Sequence, residues 1–330
     1  MEGLAAFFQG RPEIEVVIFA GKGGLGKTTN SAALSLSMAE QGRRTLCFST
    51  DPQASLSDVF ERDIFGRGVV ELRSNLQVIE IDADQRVRDY QNQVKQKIRS
   101  MYGREEIPRE IEEYIDSTSA EPAMYESATY DAMAELVEQR HFQFYVFDMP
   151  PFGHGVRMIA MADILARWVE KITETREQVA EYEAVAASLK GGAQQEDTVL
   201  AELLDIRRRI KTFTDLLTDR RRTAFFMVLV PERMAILDTE RALEMFAKLG
   251  LEMSGLVVNQ IYPRELLARP GISDLIKSRI EMQQQHLEEI ARKFGSAVLA
   301  AVPMYSQEPK GFEMLKQVAA DQNRPRDAFG

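Results

Sequence analysis

The sequence predicts an α/β protein built on a doubly wound, mostly parallel sheet with helical insertions. Three observations predict it. Short apolar, β-branched runs recur between helical patterns, at residues 15–20, 45–49, 76–81, 142–147, 224–230, 255–258 and 297–302. Most of these runs are apolar throughout rather than alternating, as strands covered on both faces require. Residues with polar chemistry stand just after the runs, where the carboxyl ends of parallel strands form a ligand-binding edge.

The first run opens into a glycine-rich turn. Residues 21–29 read G-K-G-G-L-G-K-T-T and lead into a small-residue helical pattern at 31–39. They match G-x-x-x-x-G-K-[ST], the phosphate-binding loop. Gly21, Gly23, Gly24 and Gly26 let backbone N–H groups approach phosphate oxygens with no Cβ in the way. The following helix offers free N–H groups and its positive dipole end to the same anion. In this pattern Lys27 reaches the β- and γ-phosphates and the Thr28 hydroxyl holds Mg²⁺, with Thr29 completing the nucleotide-binding string.

The second run leads into S-T-D-P-Q-A-S-L-S-D at 49–58. Asp51 follows a strand and precedes a proline, which sets its carboxylate at the nucleotide edge. It suits orientation or deprotonation of a water for in-line attack on a γ-phosphate. Turn and helix-cap bonds from Asp51 and Ser55 are the competing use. The fourth run leads into F-D-M-P-P-F-G-H at 147–154. There Asp148 closes an apolar run, where a second acidic group holds the water shell of Mg²⁺. Asn259 follows the sixth run, and its amide can donate to and accept from the N6 and N7 atoms of adenine. Guanine readers place N-K-x-D here; this chain has N-Q, which favours ATP over GTP.

The string K-G-G-L-G-K-T-T at 22–29 resembles the deviant phosphate loop of a group of ATPases. The group includes nitrogenase iron protein, the Min and Par positioning ATPases, and the arsenite-pump and tail-anchored-protein-targeting ATPases. The resemblance implies that Lys22 crosses a dimer interface to the partner's nucleotide, as a trans-acting arginine finger does. Residues 49–58, through Asp58, resemble the first switch S-T-D-P-A-H-[SN]-L-S-D, with Gln53-Ala54 in place of Ala-His. Residues 148–154 resemble the second switch D-T-A-P-T-G-H. Asp148, Pro151, Gly153 and His154 are kept, while Met149 and Phe152 replace the threonines. The resemblance implies that Gly153 is a hinge contacting the γ-phosphate and His154 a switch residue, although a packed histidine fits His154 equally. Residues 302–312 resemble the family's adenine loop, which implies that Pro303 and Phe312 cover the base. Core packing of the final helix is the other use of Phe312 and Leu315. These motifs run from residue 18 to about 319. The chain thus resembles the arsenite-transporting (ArsA) and guided-entry tail-anchored-protein-targeting ATPases over almost its whole length. The implied ligands are ATP and Mg²⁺.

Composition narrows the partners. The 330 residues contain one phosphate loop and no second half repeating the first, so a two-site machine has to be a homodimer. A net charge of −10 and a pI near 5.1 argue against nucleic-acid binding, which needs a basic surface. No run approaches the ~18 apolar residues of a membrane span, and residues 1–10 do not read as a signal peptide. The expected location is the cytoplasm. The one cysteine, Cys47, sits in an apolar run and reads as a small core residue. One cysteine excludes the iron protein's cluster, a zinc site shared by C-x-x-C pairs, and arsenite capture by thiolates.

Two helical insertions are expected in a single ATPase domain spanning 1–330, at about 84–139 and 158–222. In the second, Ile172, Val179 and Ala186 are seven apart, as are Thr175, Tyr182 and Leu189. After Gly191-Gly192, the positions Val199, Leu203, Ile206, Ile210, Phe213 and Leu217 alternate three- and four-residue steps. This predicts an antiparallel helical hairpin. Packing on each other and on the sheet is one use of these helices. The other is a groove for an apolar client, which fifteen methionines suit because thioethers adapt to varied surfaces.

The expected function is therefore a homodimeric, Mg²⁺-dependent ATPase that captures or targets hydrophobic membrane-protein segments. The alternative is the soluble subunit of an arsenite efflux pump. A Min- or Par-like positioning ATPase ranks last, because residues 311–330 lack a basic amphipathic membrane-targeting helix.

Overall fold

Each of the seven apolar runs becomes a strand. The structure, a computed structural model, describes residues 3–49, 55–81, a few positions between 85 and 96, 122–149, 170 and 198–324. The strands are β1 (Val16–Ala20), β2 (Thr45–Ser49), β4 (Leu76–Glu80), β5 (Phe144–Asp148), β6 (Thr223–Leu229), β7 (Gly255–Ile261) and β8 (Val298–Pro303). An eighth strand, β3 (Val70–Arg73), has no apolar run behind it. Its burial alternates between half-covered and exposed, the pattern of an edge strand with one wet face. It pairs antiparallel with β4 across the two-residue turn at Ser74-Asn75, where Asn75 takes a positive φ of 64°. Asparagine tolerates that conformation better than most residues.

The sheet order among the described residues is β3-β4-β2-β5-β1-β6-β7-β8, and every pairing except β3–β4 is parallel. All five residues of β1, β2 and β5, and all seven of β6, are buried. Covering both faces is what demands the unbroken apolar runs. Register aligns the strand ends. Asp148 is level with Phe19 of β1 on one side and Ser49 of β2 on the other, and Ala20 is level with Met227 of β6. The turn after β1 therefore starts beside the side chains that close β2 and β5. The chain leaves β1 toward β2 and later returns to its other side as β6, so the strand order reverses at β1 and opens a crevice there.

Helices cover both faces. One face carries α1 (Gly3–Gln9), α2 (Lys27–Glu40), α3 (Ser55–Phe60) and, at the chain's end, a helix at Gly311–Gln322. The rings of Phe7 and Phe8 in α1 meet Phe226 and Phe144 edge to face, with centroids 5.3 to 5.5 Å apart. Such pairs add about 0.5–1.5 kcal/mol beyond their area. Ala32, Ala33, Ser31 and Ser35 of α2 are fully buried, and their small size lets the C-terminal helix pack close. Leu315 is fully buried in that core, so core packing is its role. The opposite face carries two helices, Arg233–Lys248 and Asp274–Phe294, over Met227, Leu229, Leu256 and Val258.

Contacts divide the chain into two compact units. One comprises Met1–Asp82, Phe142–Val156 and Leu217–Gly330; the other comprises Ala83–His141 and Arg157–Leu216. In the second unit, α4 (Pro122–Glu138) meets α5 (Thr198–Thr218). The Tyr130 hydroxyl lies 2.8 Å from Thr214 Oγ1 and donates to the Ile210 carbonyl at 3.1 Å. The Tyr130 and Phe213 rings meet edge to face at 5.0 Å. Arg209 of α5 pairs with Asp131 and Glu138 of α4. Ile210, Phe213 and Leu217 are buried, as their heptad-like spacing predicts. The first arm of the predicted hairpin, 172–189, and Gly191-Gly192 lie outside the described residues. In the remaining chain order the helices are α6 (Arg233–Lys248), α7 (Asp274–Phe294) and α8 (Gly311–Gln322). No helix among the described residues is long and apolar enough to cross a membrane.

Cys47 lies in β2 with no exposed surface, and burial pushes its thiol from the ordinary value near 9 up to about 12. The folded chain therefore keeps this proton at pH values where the unfolded chain has lost it. Stability is intact below pH 9 and falls as pH rises toward 12, by about 1.4 kcal/mol per pH unit from this group. Urea unfolding between pH 8 and 10.5 should show a steeper loss for the wild type than for Cys47→Ala. Equal slopes would show that the thiol titrates normally.

Candidate functional site

The site is built on the turn between β1 and α2. Gly21 has a φ of 147°, and a Cβ there would stand 2.6 Å from the Val228 carbonyl oxygen. Gly26 has a φ of 89° and ψ of 28° and occupies the N-cap of α2, where no side chain caps the helix. The N–H groups of the first turn are thus left to serve another acceptor.

Three amide side chains hold this loop from behind. Asn259 Nδ2 donates to the Leu25 carbonyl at 2.8 Å, and Asn30 Nδ2 donates to the Gly26 carbonyl at 2.8 Å. Gln260 Nε2 makes a longer contact of 3.5 Å with the Gly24 carbonyl. In a planar trans peptide the C=O of one residue and the N–H of the next point in opposite directions. Fixing the carbonyls of Gly24, Leu25 and Gly26 therefore turns the N–H groups of Leu25, Gly26 and Lys27 away from the amides. Successive N–H groups presented together form an anion-binding concavity. Gln260 reaches the loop from a positive φ of 58°, at an irregularity in the β7–β8 register. A long side chain in that region is uncommon and strained.

Lys27 is almost fully buried, and its Nζ donates to the Lys22 carbonyl at 3.1 Å, folding the ammonium over the loop. Thr28 Oγ1 donates to Asp148 Oδ2 at 2.7 Å. The Ser49 and Ser55 hydroxyls stand 3.4 Å from Asp148 Oδ2 and Thr28 Oγ1 respectively. Only oxygen donors meet at this point. Among the described residues no group of three His, Cys, Asp or Glu side chains stands ready to hold a metal. The donor set fits a hard divalent cation that takes one or two protein oxygens and completes its shell with phosphate and water.

A buried acid that the sequence analysis passed over holds the start of α3. Glu80, at the end of β4, is fully buried. Its Oε1 accepts the Leu56 N–H at 2.7 Å, and its Oε2 accepts the Ser57 N–H at 3.0 Å and the Ser57 hydroxyl at 2.5 Å. The carboxylate thereby caps α3 and pins Leu56 and Ser57 to the sheet. Glu80 stands inside an apolar run, before Ile81, where an acid is easily passed over.

Gly23, Gly24, Gly26, Lys27, Thr28, Thr29, Asn259 and Pro303 all line one cavity of about 820 Å³ between the loop and residues 302–309. Other expected residues stand elsewhere. Gly21 and Lys22 line a second cavity, of about 370 Å³, on the side of the loop facing α6. Lys22 Nζ is 3.5 Å from Asp238 there, and its side chain is 57% exposed. Phe312 is not among the residues that line the larger cavity. Its ring tilts against Phe60, with centroids 5.9 Å apart, and the Arg73 guanidinium lies 4.1 Å above it. Asp58 is exposed on α3, and with Glu308 and Glu61 it helps raise the Lys310 ammonium, the Glu308 hydrogen bond contributing most. Asp51, Gly153 and His154 lie outside the described residues. Tyr305, which the sequence analysis did not single out, lines the cavity and donates to Asp321 Oδ2 at 2.7 Å. Burial and the Asp321 carboxylate raise its phenol, so it stays protonated as a donor.

A strand, an amide-braced glycine loop, a helix and a strand-ending acid at its first turn are the parts that a phosphate-binding loop calls for. Comparison with known proteins agrees. The model of the anion-transporting ATPase family matches residues 14–323. The chain belongs to this family. It is 30% identical over 306 residues to an arsenical pump-driving ATPase 2 of Aquifex aeolicus, covering 92% of this chain and 97% of that one. It is 26% identical to the ATPase GET3 of Chaetomium globosum, over 91% of this chain and 88% of the relative. The ASNA1 homolog 2 of Paramecium tetraurelia is 24% identical over 93% of this chain and 92% of its own length. As a member of this family the chain is an ATP hydrolase.

The two tight glycines fail differently when substituted. Gly21→Ala places a Cβ against the backbone oxygen of Val228, which cannot swing aside. It should cost at least about 2 kcal/mol in urea unfolding. In Gly26→Ala the obstacle is the Asn259 side chain. Adding Asn259→Ala should recover part of the stability lost there and none of that lost in Gly21→Ala. Equal recovery in both backgrounds would contradict the assigned contacts.

Proposed function

We propose that the chain works as a homodimer in the cytoplasm, hydrolysing ATP with Mg²⁺ at each of two sites. The observation that carries this is the Thr28–Asp148 couple standing at the mouth of the amide-braced loop. In this reading the N–H groups of the loop and of the first turn of α2 hold the β-phosphate. Lys27 turns from the Lys22 carbonyl to the β- and γ-phosphates. Thr28 and, through water, Asp148 hold Mg²⁺, which offsets charge on the phosphate oxygens when bound. Asp51 orients the attacking water. Asn259 gives one amide hydrogen to Leu25; its other hydrogen and its Oδ1 serve adenine, with Pro303 beside the base. Asp58, Gly153 and His154 belong to the switches that respond to the γ-phosphate.

Lys22 acts in trans in this account. Support comes from its position: it is exposed, outside its own nucleotide-sized cavity, and among the described residues its charged neighbour within ion-pair distance is Asp238. Such a pair between exposed groups is weak, so leaving it for the partner's phosphates costs little.

The work coupled to hydrolysis is the capture or targeting of hydrophobic membrane-protein segments, with the helical insertions as the client-binding part. The rival is the soluble subunit of an arsenite efflux pump, since relatives carry both names. The buried, protonated thiol of Cys47 and the absence of any other cysteine in the sequence disfavour metalloid activation through thiolates.

Lys27→Ala should lose nucleotide affinity and turnover together. Lys22→Ala should bind nucleotide normally yet turn over about 10³-fold more slowly or worse. Normal steady-state hydrolysis by Lys22→Ala would end the trans-lysine reading. Hydrolysis assayed with and without arsenite, beside co-purification of a tail-anchored substrate, separates the two couplings. Stable capture without an arsenite response supports targeting; arsenite stimulation without capture supports the pump.

A further inference from the structure

We propose that Gln322 is a positioning residue for the phosphate loop, acting through Asn30. Gln322 ends α8, nearly 300 residues from the loop in sequence, and is 1% exposed. Its Nε2 donates to the Asn30 backbone carbonyl at 3.0 Å and to Asn30 Oδ1 at 2.8 Å. Asn30 has no exposed surface and stands in the second turn of α2.

The chemistry of the amide makes this a relay. An asparagine side chain has one accepting end and one donating end. Gln322 supplies a donor, so the accepting Oδ1 of Asn30 must face it. That leaves Nδ2 facing the Gly26 carbonyl, where it donates at 2.8 Å. The same carbonyl accepts the Asn30 backbone N–H at 3.1 Å. Two donors thus pin the peptide between Gly26 and Lys27, and its N–H points to the opposite side. That N–H is the first of α2, at the helix end that opens on the cavity. Removing Gln322 leaves the buried Oδ1 of Asn30 without its donor and loosens the side chain that braces this peptide.

Stability alone does not account for the arrangement. Asparagine is a poor helix former compared with alanine, and burying two amides brings gain only when their bonds are made. The neighbouring residue points the same way: Asp321, 1% exposed, accepts the hydroxyl of Tyr305 on the opposite wall of the cavity. Adjacent residues of the last turn of α8 therefore hold the two walls in register.

The proposal rests on reading residues 21–29 as the nucleotide site. The test uses the full chain, with Mg-ADP affinity by calorimetry, urea stability, and hydrogen exchange of the amides at 25–28 without nucleotide. The variants are Gln322→Met, Asn30→Ala and the two combined. Asn30→Asp is added because it is isosteric, keeps the acceptor for Gln322 and loses the donor to Gly26. Gln322→Met and Asn30→Ala should each weaken Mg-ADP by about tenfold, the combined variant should weaken it no further, and Asn30→Asp should match Asn30→Ala. Exchange at 25–28 should quicken in every variant. Wild-type affinity in Gln322→Met, or losses that add in the combined variant, would overturn the relay. A Lys27→Ala control separates the failures. If it binds Mg-ADP normally, the nucleotide reading itself is wrong; if it is defective while Gln322→Met is normal, only the relay is wrong.

Discussion

The hydrogen bond from Thr28 to Asp148 joins two residues 120 positions apart and depends on nearly every feature of the fold. Asp148 ends β5 at the level where β1 and β2 also end, because the three strands are parallel and in register. Thr28 is the second residue of a helix that starts only because Gly26 takes a left-handed turn. A slip of one residue in β5 would send Asp148 to the other face of the sheet. The buried, fully apolar strands prevent that slip. The core that looks like scaffolding is therefore what sets a carboxylate within hydrogen-bond reach of a hydroxyl at the mouth of an anion site.

The loop itself is governed by polar groups behind it. Backbone N–H groups bind an anion only if their peptides are held in one orientation. In this chain, amide side chains from α2 and from β7 do that, and the last turn of α8 orients one of them. Buried amides are expensive when unpaired and rigid when paired. The same logic explains Glu80, a buried carboxylate whose partners are the N–H groups of a short helix and a serine hydroxyl. Both devices are assembled from distant parts of the chain, and neither has a sequence motif.

That is also why part of the site was legible and part was not. The phosphate loop, Asp148 and the parallel character of the sheet around them follow from local patterns: glycines at fixed spacing, an acid closing an apolar run, runs without alternation. β3 was missed because its four residues, Val-Glu-Leu-Arg, bury too little to print an apolar run. Phe312 packs under Arg73 and against Phe60, contacts that its local pattern did not announce. Glu80 is followed by Ile81 within its run, so the rule that identified Asp148 passed over it, and nothing local marked its partner helix. Gln260 and Gln322 act through contacts more than 200 residues apart, which no window on the sequence contains. The expected roles of Asp51, Gly153 and His154 rest on the sequence alone.

The central claim is that one subunit completes the site of another. The direct test is specific ATPase activity as a function of protein concentration at saturating Mg-ATP. The account predicts activity per subunit that rises with concentration and then levels off as dimers saturate. Specific activity that stays constant into the range where sedimentation shows only monomer would contradict it, and would leave a nucleotide site that works alone.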